Sequence, residues 1–293
     1  MKVIFYEYLT KAAILFGPWL FVLVAKSVAA GYFIFHTKVR SISCNFYATL
    51  FPKRNRVYHY YATWKQFLNF IYIYLDRFIQ REVRDLDFTI EGREHVVDAK
   101  NGGKGCILLA SHMGNWELAA HLLTKVHTNV DILLYMGVRD KEEIEKVQKE
   151  NVRRDGIRVI GVNRSGGSPV DIVEGLQFLR KGGFVSMAGD VVWWKGQRTV
   201  TGSFIGRNVK IPEAPFALAL VSGSPLLVFF AFRMPAGQYR FSVLPPIHVH
   251  AIEGADRSLS IQTAAQSYLQ SLEDALCNHP FEWFHFGAFL EDE

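Results

Sequence analysis

His112 and Glu117 lie five positions apart with Gly114 and Asn115 between them, so an imidazole and a carboxylate are separated by a helix breaker and a helix cap. In continuous helix the two side chains would point ~140° apart around the axis and could not meet. Gly114 admits a break and Asn115 is a good N-cap, so the spacing predicts a turn carrying His112 and a helix starting at Asn115. Glu117 then falls in the first helical turn, where the positive end of the helix favours its ionised form. A carboxylate bonded to one ring nitrogen fixes the tautomer and leaves the other nitrogen to take a proton, which is the making of a general base. The competing reading is structural: a histidine after a strand is often only hydrogen-bonded scaffold, and Glu117 alone serves the helix dipole.

Other chemistries find less support. His112 has no second histidine in a His-Glu-x-x-His arrangement, His121 has no evident liganding partner, and Cys44, Cys106 and Cys277 form no Cys-x-x-Cys pair, so no metal site and no disulfide framework is expected. No serine or cysteine sits in a Gly-x-Ser-x-Gly elbow, which leaves a covalent acyl-enzyme unsupported. Gly102-Gly103-Lys104-Gly105 lacks P-loop spacing and reads as the turn before a strand, and nucleic-acid motifs are absent.

The elements that must position these residues follow an alternating pattern. Strands are predicted at Leu86–Glu91, Cys106–Ala110, Val130–Tyr135, Ile157–Ile160, Phe184–Ala188, Leu226–Arg233 and Tyr239–Val243, and helices at Asn115–Val126, Asp140–Asp155, Val170–Arg180, Glu213–Ser222 and Ser258–Leu276. This order predicts an α/β fold, a mixed, partly parallel sheet flanked by helices, with an antiparallel edge where Pro235-Ala236-Gly237-Gln238 joins the last two strands. Ligands of such sheets gather beyond the carboxyl ends of the strands. Three places qualify: the Ser111–Glu117 turn, Gly137-Val138-Arg139, and Gly189-Asp190.

Ahead of the sheet, residues 12–35 are mostly apolar, interrupted by one charge, Lys26, and one helix-disturbing residue, Pro18, and long enough for the ~20 residues that cross a bilayer. Four readings compete: a signal peptide, an interfacial helix anchored by Trp19 and Tyr32, a single span with the body of the protein in the cytoplasm, and a buried helix of a soluble fold. Residues 46–78 are rich in aromatics, with Phe67, Phe70, Ile71, Tyr74, Leu75 and Phe78 at helical spacing, read as core packing or as a wall against lipid tails. The simplest division is a membrane-anchoring or interfacial helix over residues 1–40 and an α/β domain over 41–293, of which 41–85 is helical and lipid-facing. The whole chain of 293 residues is 49% hydrophobic and 21% charged, which excludes disorder and linker-like proteins. A net charge of +5 weakly favours anionic partners such as phospholipid, acyl carrier protein, coenzyme A or nucleic acid.

The string from Ile107 to Leu118, with His112-Met113-Gly114-Asn115-Trp116-Glu117 at its centre, resembles the signature of the late acyltransferases of lipid A biosynthesis, the lauroyl/myristoyl transferase family, within the wider lysophospholipid and glycerophospholipid acyltransferase superfamily. Neighbouring motifs agree in order: Asn45 to Arg56, Arg139, Arg153 with Gly156, Asp190, Phe204 with Gly206 and Pro212, and Pro280-Phe281-Glu282-Trp283-Phe284. Two stretches depart from the family pattern, Val191-Val192-Trp193-Trp194 after Asp190 and the segment from His285 to the acidic tail, both in regions placed near the acceptor.

The resemblance implies a membrane-associated O-acyltransferase at the cytoplasmic face of the inner membrane. It would move a fatty acyl chain from an acyl thioester, on acyl carrier protein or coenzyme A, to a lipid hydroxyl, without cofactor or metal. His112 would be the base, with Glu117 or Asp190 orienting it. The backbone N–H groups at Asn115–Glu117 would face the oxyanion, Arg139 would hold a phosphate, and Asn115, Trp116 and Arg153 would contact substrate. A lipid or fatty-acyl hydrolase and a non-enzymatic lipid-binding protein are the alternatives. Neither nucleic acid nor any particular oligomer is implied.

Overall fold

The computed structural model describes residues 19–82, 87–116, 118, 131–137, 157–162, 169–234, 237–252, 254 and 256–290. The chain divides into two compact units, one of residues up to Asp87 together with His279–Ala288, the other of Phe88–Asn278 with the residues from Phe289 onward.

The first unit is helical: α1 (Trp19–Phe35), α2 (Thr37–Leu50) and α3 (Arg56–Glu82). Between α1 and α2 the chain bends by 90°. Arg40 stabilises the break, its Nη1 donating to the last-turn carbonyls of Phe33 (2.8 Å) and Ile34 (3.3 Å), which have no partner within the helix. Asn55 caps α3 by accepting from the Tyr58 N–H at 3.0 Å. The segment after His279 is stitched in by side chains: the Tyr47 hydroxyl donates to the Pro280 carbonyl (2.9 Å), Gln66 to that of Trp283 (2.6 Å) and Asn69 to that of Phe281 (3.2 Å). Rings of Phe67 and Phe286 and of Phe46 and Trp283 meet edge to face at 5.2 and 5.1 Å. Of the aromatics in residues 46–78, Tyr47 and Phe67 are buried and Phe67 and Phe70 pack on Phe286 and Phe284, while Tyr60 and Tyr61 are exposed. The side chains of Tyr74, Leu75 and Phe78 lie outside the described residues, as do residues 1–18.

Among the described residues no single helix is long and apolar enough to cross a membrane; α1 and α2 pass that test only together, as a bent pair. What α1 does present is exposed apolar surface at Trp19, Leu23, Val28, Tyr32, Ile34 and Phe35.

The second unit is the α/β layer fold. Its seven-stranded sheet has the order β1-β9-β8-β2-β5-β3-β4, from β1 (Phe88–Glu91), β2 (Cys106–Ala110), β3 (Ile132–Gly137), β4 (Arg158–Val162), β5 (Phe184–Ala188), β8 (Leu226–Arg233) and β9 (Tyr239–Val243). Strands β8, β2, β5, β3 and β4 run parallel, while β9 is antiparallel to β8. The antiparallel pair is where the short connection predicts it, but β9 is not the edge, because β1 adds outside it in parallel. Strands β2 and β8 are apolar runs buried on both faces, as parallel strands under helices must be; β9 alternates buried and partly exposed residues. Four strands, β2, β5, β8 and β9, coincide residue for residue with the predicted ones.

Helix α4 (Arg93–Asn101) joins β1 to β2, and α5 (Pro169–Arg180), α6 (Ala214–Ser222) and α7 (Arg257–Asn278) are further helices of the unit among the described residues. A hairpin of β6 (Thr199–Phe204) and β7 (Arg207–Pro212) inserts after β5, turning through Ile205 and Gly206, both at positive φ. The Glu273 carboxylate of α7 accepts from the Ile205 N–H (3.1 Å), and the Gln266 amide brackets Ser203, accepting from its N–H and donating to its carbonyl. Of the helix predicted over Asn115–Val126, Trp116 and Leu118 are helical and the rest lies outside the described residues, as does all of Asp140–Asp155.

Candidate active site

The sheet order supplies a topological switch point. From β2 the chain returns to the sheet at β3, two places to one side, and from β5 it returns at β8, two places to the other. Adjacent parallel strands whose connections leave in opposite directions define the switch point where α/β sheets bind ligands. His112 follows β2 and Asp190 follows β5, and Ala110 stands opposite Ala188 in the ladder, so the two side chains meet there.

Asp190 holds His112 with both oxygens. Oδ1 lies 3.0 Å from the ring Nδ1, and Oδ2 accepts from the His112 backbone N–H at 2.7 Å. The carboxylate is fully buried while the imidazole is 30% exposed, so a shielded acceptor orients a ring that substrate can reach. With Nδ1–H donating to Asp190, proton exchange with a substrate falls to Nε2.

The turn that carries His112 is fixed along its length. Ser111 Oγ accepts from the Met113 N–H (3.3 Å), and the Asn115 N–H donates to the Ala231 carbonyl of β8 (2.8 Å). Asn115 Oδ1 caps the helix by accepting from the Leu118 N–H (3.1 Å), and its Nδ2 donates to the Tyr239 hydroxyl (3.3 Å). Gly114 is required twice over: its φ is +68°, and a Cβ there would stand 2.3 Å from the Ala231 carbonyl oxygen. The sequence expectation of a break at Gly114 and a cap at Asn115 therefore describes the turn.

Two expectations about Asn115 need correction. Its N–H, expected to face an oxyanion, is taken up by Ala231, and the residue, expected against substrate, is only 1% exposed with its amide oxygen and nitrogen both bonded inside the protein. Asn115 builds the turn from beneath. Trp116 is partly exposed at the start of the helix. Glu117, Arg139 and Arg153 lie outside the described residues.

The structure adds residues that spacing did not single out. Trp193, from the loop after Asp190, has its ring centroid 6.4 Å from that of His112 and lies against Gly137 at the end of β3, where a Cβ would stand 2.3 Å from the indole. Gln197 closes that loop by accepting from the Trp193 N–H at 2.7 Å. Tyr268 of α7 reaches the same strand ends: its hydroxyl donates to the Ala110 carbonyl (3.3 Å), and its ring lies so close over Gly189 that a Cβ there would be 2.6 Å away. Burial raises the Tyr268 phenol well above its ordinary range, and the charge of Asp190 adds to that, so it stays a neutral donor. The hint in the sequence was Gly189 itself, a residue without a side chain directly before a strand-end acid.

A histidine–aspartate pair thus stands at the switch point of a mostly parallel α/β sheet, its carboxylate buried and its imidazole partly exposed. The chain belongs to the bacterial lipid A biosynthesis acyltransferases, whose family model matches residues 18–288, nearly its full length; it is an acyltransferase. No curated protein matches the sequence.

Proposed function

We propose that this acyltransferase moves a fatty acyl chain from a thioester, acyl carrier protein or coenzyme A, to a hydroxyl of a membrane lipid at the cytoplasmic face of the inner membrane, with His112 as general base. The observation that supports this most is the two-point hold of buried Asp190 on the Nδ1 and backbone N–H of a partly exposed His112. Nε2 takes the proton of the acceptor hydroxyl as its oxygen bonds to the thioester carbonyl carbon. The tetrahedral adduct then expels sulfur, and the proton passes from the imidazolium to the departing thiolate. Asp190 fixes the tautomer and stabilises the imidazolium; general-base help of this kind is worth ~10²–10⁴-fold. Trp193 gives the imidazole an apolar neighbour, suited to excluding water from the thioester. Glu117 supports the base, and Arg139 and Arg153 take anionic groups of donor or acceptor, as the family resemblance implies. The exposed apolar residues of α1 favour a place at the membrane surface.

The test is the His112→Ala variant with labelled acyl thioester and membrane lipid. Acyl transfer should fall by ~10²–10⁴-fold with lipid binding retained. Undiminished transfer would remove His112 from the chemistry, and label appearing as free acid in the wild type would make the enzyme a hydrolase. Mass spectrometry of membrane lipids from cells with and without the protein identifies the acceptor from the acyl chain that disappears.

A further inference from the structure

The first unit contains a cavity of about 550 Å³ between α2 and α3 that shares no residue with the site at His112. Arg40, Arg56 and His59 contribute to its lining, with Ser41 and Asn45 as neutral polar groups and no carboxylate. The chain around it is as one-sided: between Trp19 and Leu75 there are seven Lys and Arg and no Asp or Glu. Both arginines line the cavity together with Cys44, whose thiol burial raises and Arg56 and Arg40 lower. His59 directs Nε2 to the Phe51 carbonyl at 3.0 Å, and Arg40 is braced by the carbonyls ending α1, so two of the three basic groups are held in place before anything binds.

We propose that this cavity binds a phosphate group, that of an anionic lipid headgroup. Two arginines in one lining offer planar donor forks matching phosphate oxygens, and a lining without carboxylates leaves their charge to be balanced by a ligand. The lipid source is favoured by the neighbouring helix: Arg40 bonds to the end of α1, whose residues Tyr32, Ile34 and Phe35 are exposed and apolar. A headgroup in the cavity would therefore have greasy surface within the same unit for its tails. The site goes beyond acyl transfer and does not depend on it, since binding is read without turnover.

The experiment uses the full chain and the Arg56→Gln variant. Arg56 is exposed and packs on the ring of Tyr60, so its loss leaves the helix break at Arg40 intact. Lys53→Gln, an exposed charge not in the lining, is the control. Cosedimentation with phosphatidylcholine vesicles containing phosphatidic acid should weaken about fivefold or more for Arg56→Gln and much less for Lys53→Gln. Inorganic phosphate should raise the wild-type melting temperature, but not that of Arg56→Gln, and should compete with the vesicles. Equal losses in both variants would mean diffuse surface attraction and overturn the site. Stabilisation by phosphate with vesicle binding unchanged in Arg56→Gln would assign the cavity to a soluble phosphate and overturn the lipid headgroup. No response in either assay would overturn both.

Discussion

The turn at His112 and the cavity between α2 and α3 handle charge in opposite ways. At the turn, one buried carboxylate gives both oxygens to one histidine, and the surrounding backbone is bonded down at Met113, Asn115 and Leu118. In the cavity, arginines and a histidine share a lining without any carboxylate. A charge compensated internally and held in one geometry is suited to moving a proton, because orientation is settled before substrate arrives. Cations left to be compensated from outside are suited to holding an anion. The two places should therefore respond differently to substitution and to salt.

The largest expected effect breaks the compensated pair. Asp190→Asn keeps the shape but loses the charge that stabilises imidazolium, and its amide cannot accept from both the ring and the backbone N–H. Turnover should drop by ~10²–10⁴-fold, and His112→Ala combined with Asp190→Asn should be hardly worse than His112→Ala alone, since the residues act as a unit. Comparing kcat for the two single variants and the double checks this; additive losses would mean that Asp190 acts independently of the ring.

The rigidity of the turn can be separated from its charge. Gly114→Ala imposes a left-handed alanine and drives a methyl to 2.3 Å from the backbone oxygen of Ala231, so destabilisation of about 3 kcal/mol or more is expected. Gly103→Ala is the comparison, with φ +69° and open space around it, and should cost only about 1 kcal/mol. Urea unfolding of both variants measures the difference, and similar losses would show that β8 yields to the intrusion.

Salt sharpens the contrast. Raising ionic strength from 0.1 to 1 M shortens the screening length from about 10 to about 3 Å. Vesicle binding should weaken roughly tenfold, as screening and competing anions remove long-range attraction to the cations of the first unit. Turnover on detergent-solubilised substrate should change less than about twofold, because the Asp190 carboxylate is shielded. A fall in turnover as steep as the fall in binding would mean that the pair is open to solvent ions.

How much of this was legible in the sequence depends on how local the cause was. Strands β2, β5, β8 and β9 stand out because apolar or alternating runs end at Gly, Ser or Pro, and the break at Gly114 with its cap at Asn115 needs only neighbouring residues. The β6–β7 hairpin was not foreseen: Gly202 interrupts its alternation, and it turns on Ile205, a β-branched residue that ordinarily avoids positive φ. The Asp190–His112 contact spans 78 residues and requires β5 to lie beside β2 in register, which periodicity along one strand does not specify. Asn115 shows the reverse error, since a polar residue in a motif invites a ligand role while its partners, Ala231 and Tyr239, lie more than a hundred residues away.

Tyr268 is the smallest and most selective test, because its effect changes with pH. The Tyr268→Phe variant loses a 3.3 Å hydrogen bond to the Ala110 carbonyl and should be about 0.5–1.5 kcal/mol less stable at neutral pH. Burial first, and the charge of Asp190 second, raise this phenol well above its ordinary value, whereas in the unfolded chain it ionises near 10. Above pH ~10 the unfolded state has therefore released a proton that the folded state keeps, so the stabilisation present below that pH is lost as pH rises. Phenylalanine has no proton to release, so the variant should lose stability less steeply. Tyr47, raised likewise by burial and then by Tyr58, remains in both proteins and supplies the slope that persists. The deficit of Tyr268→Phe relative to wild type should shrink by about 1 kcal/mol between pH 9 and pH 11 in urea unfolding, the linkage expected of one tyrosine. A constant deficit across that range would mean that Tyr268 ionises in the folded protein as readily as in the unfolded one, and that the floor beneath Asp190 is not closed to water.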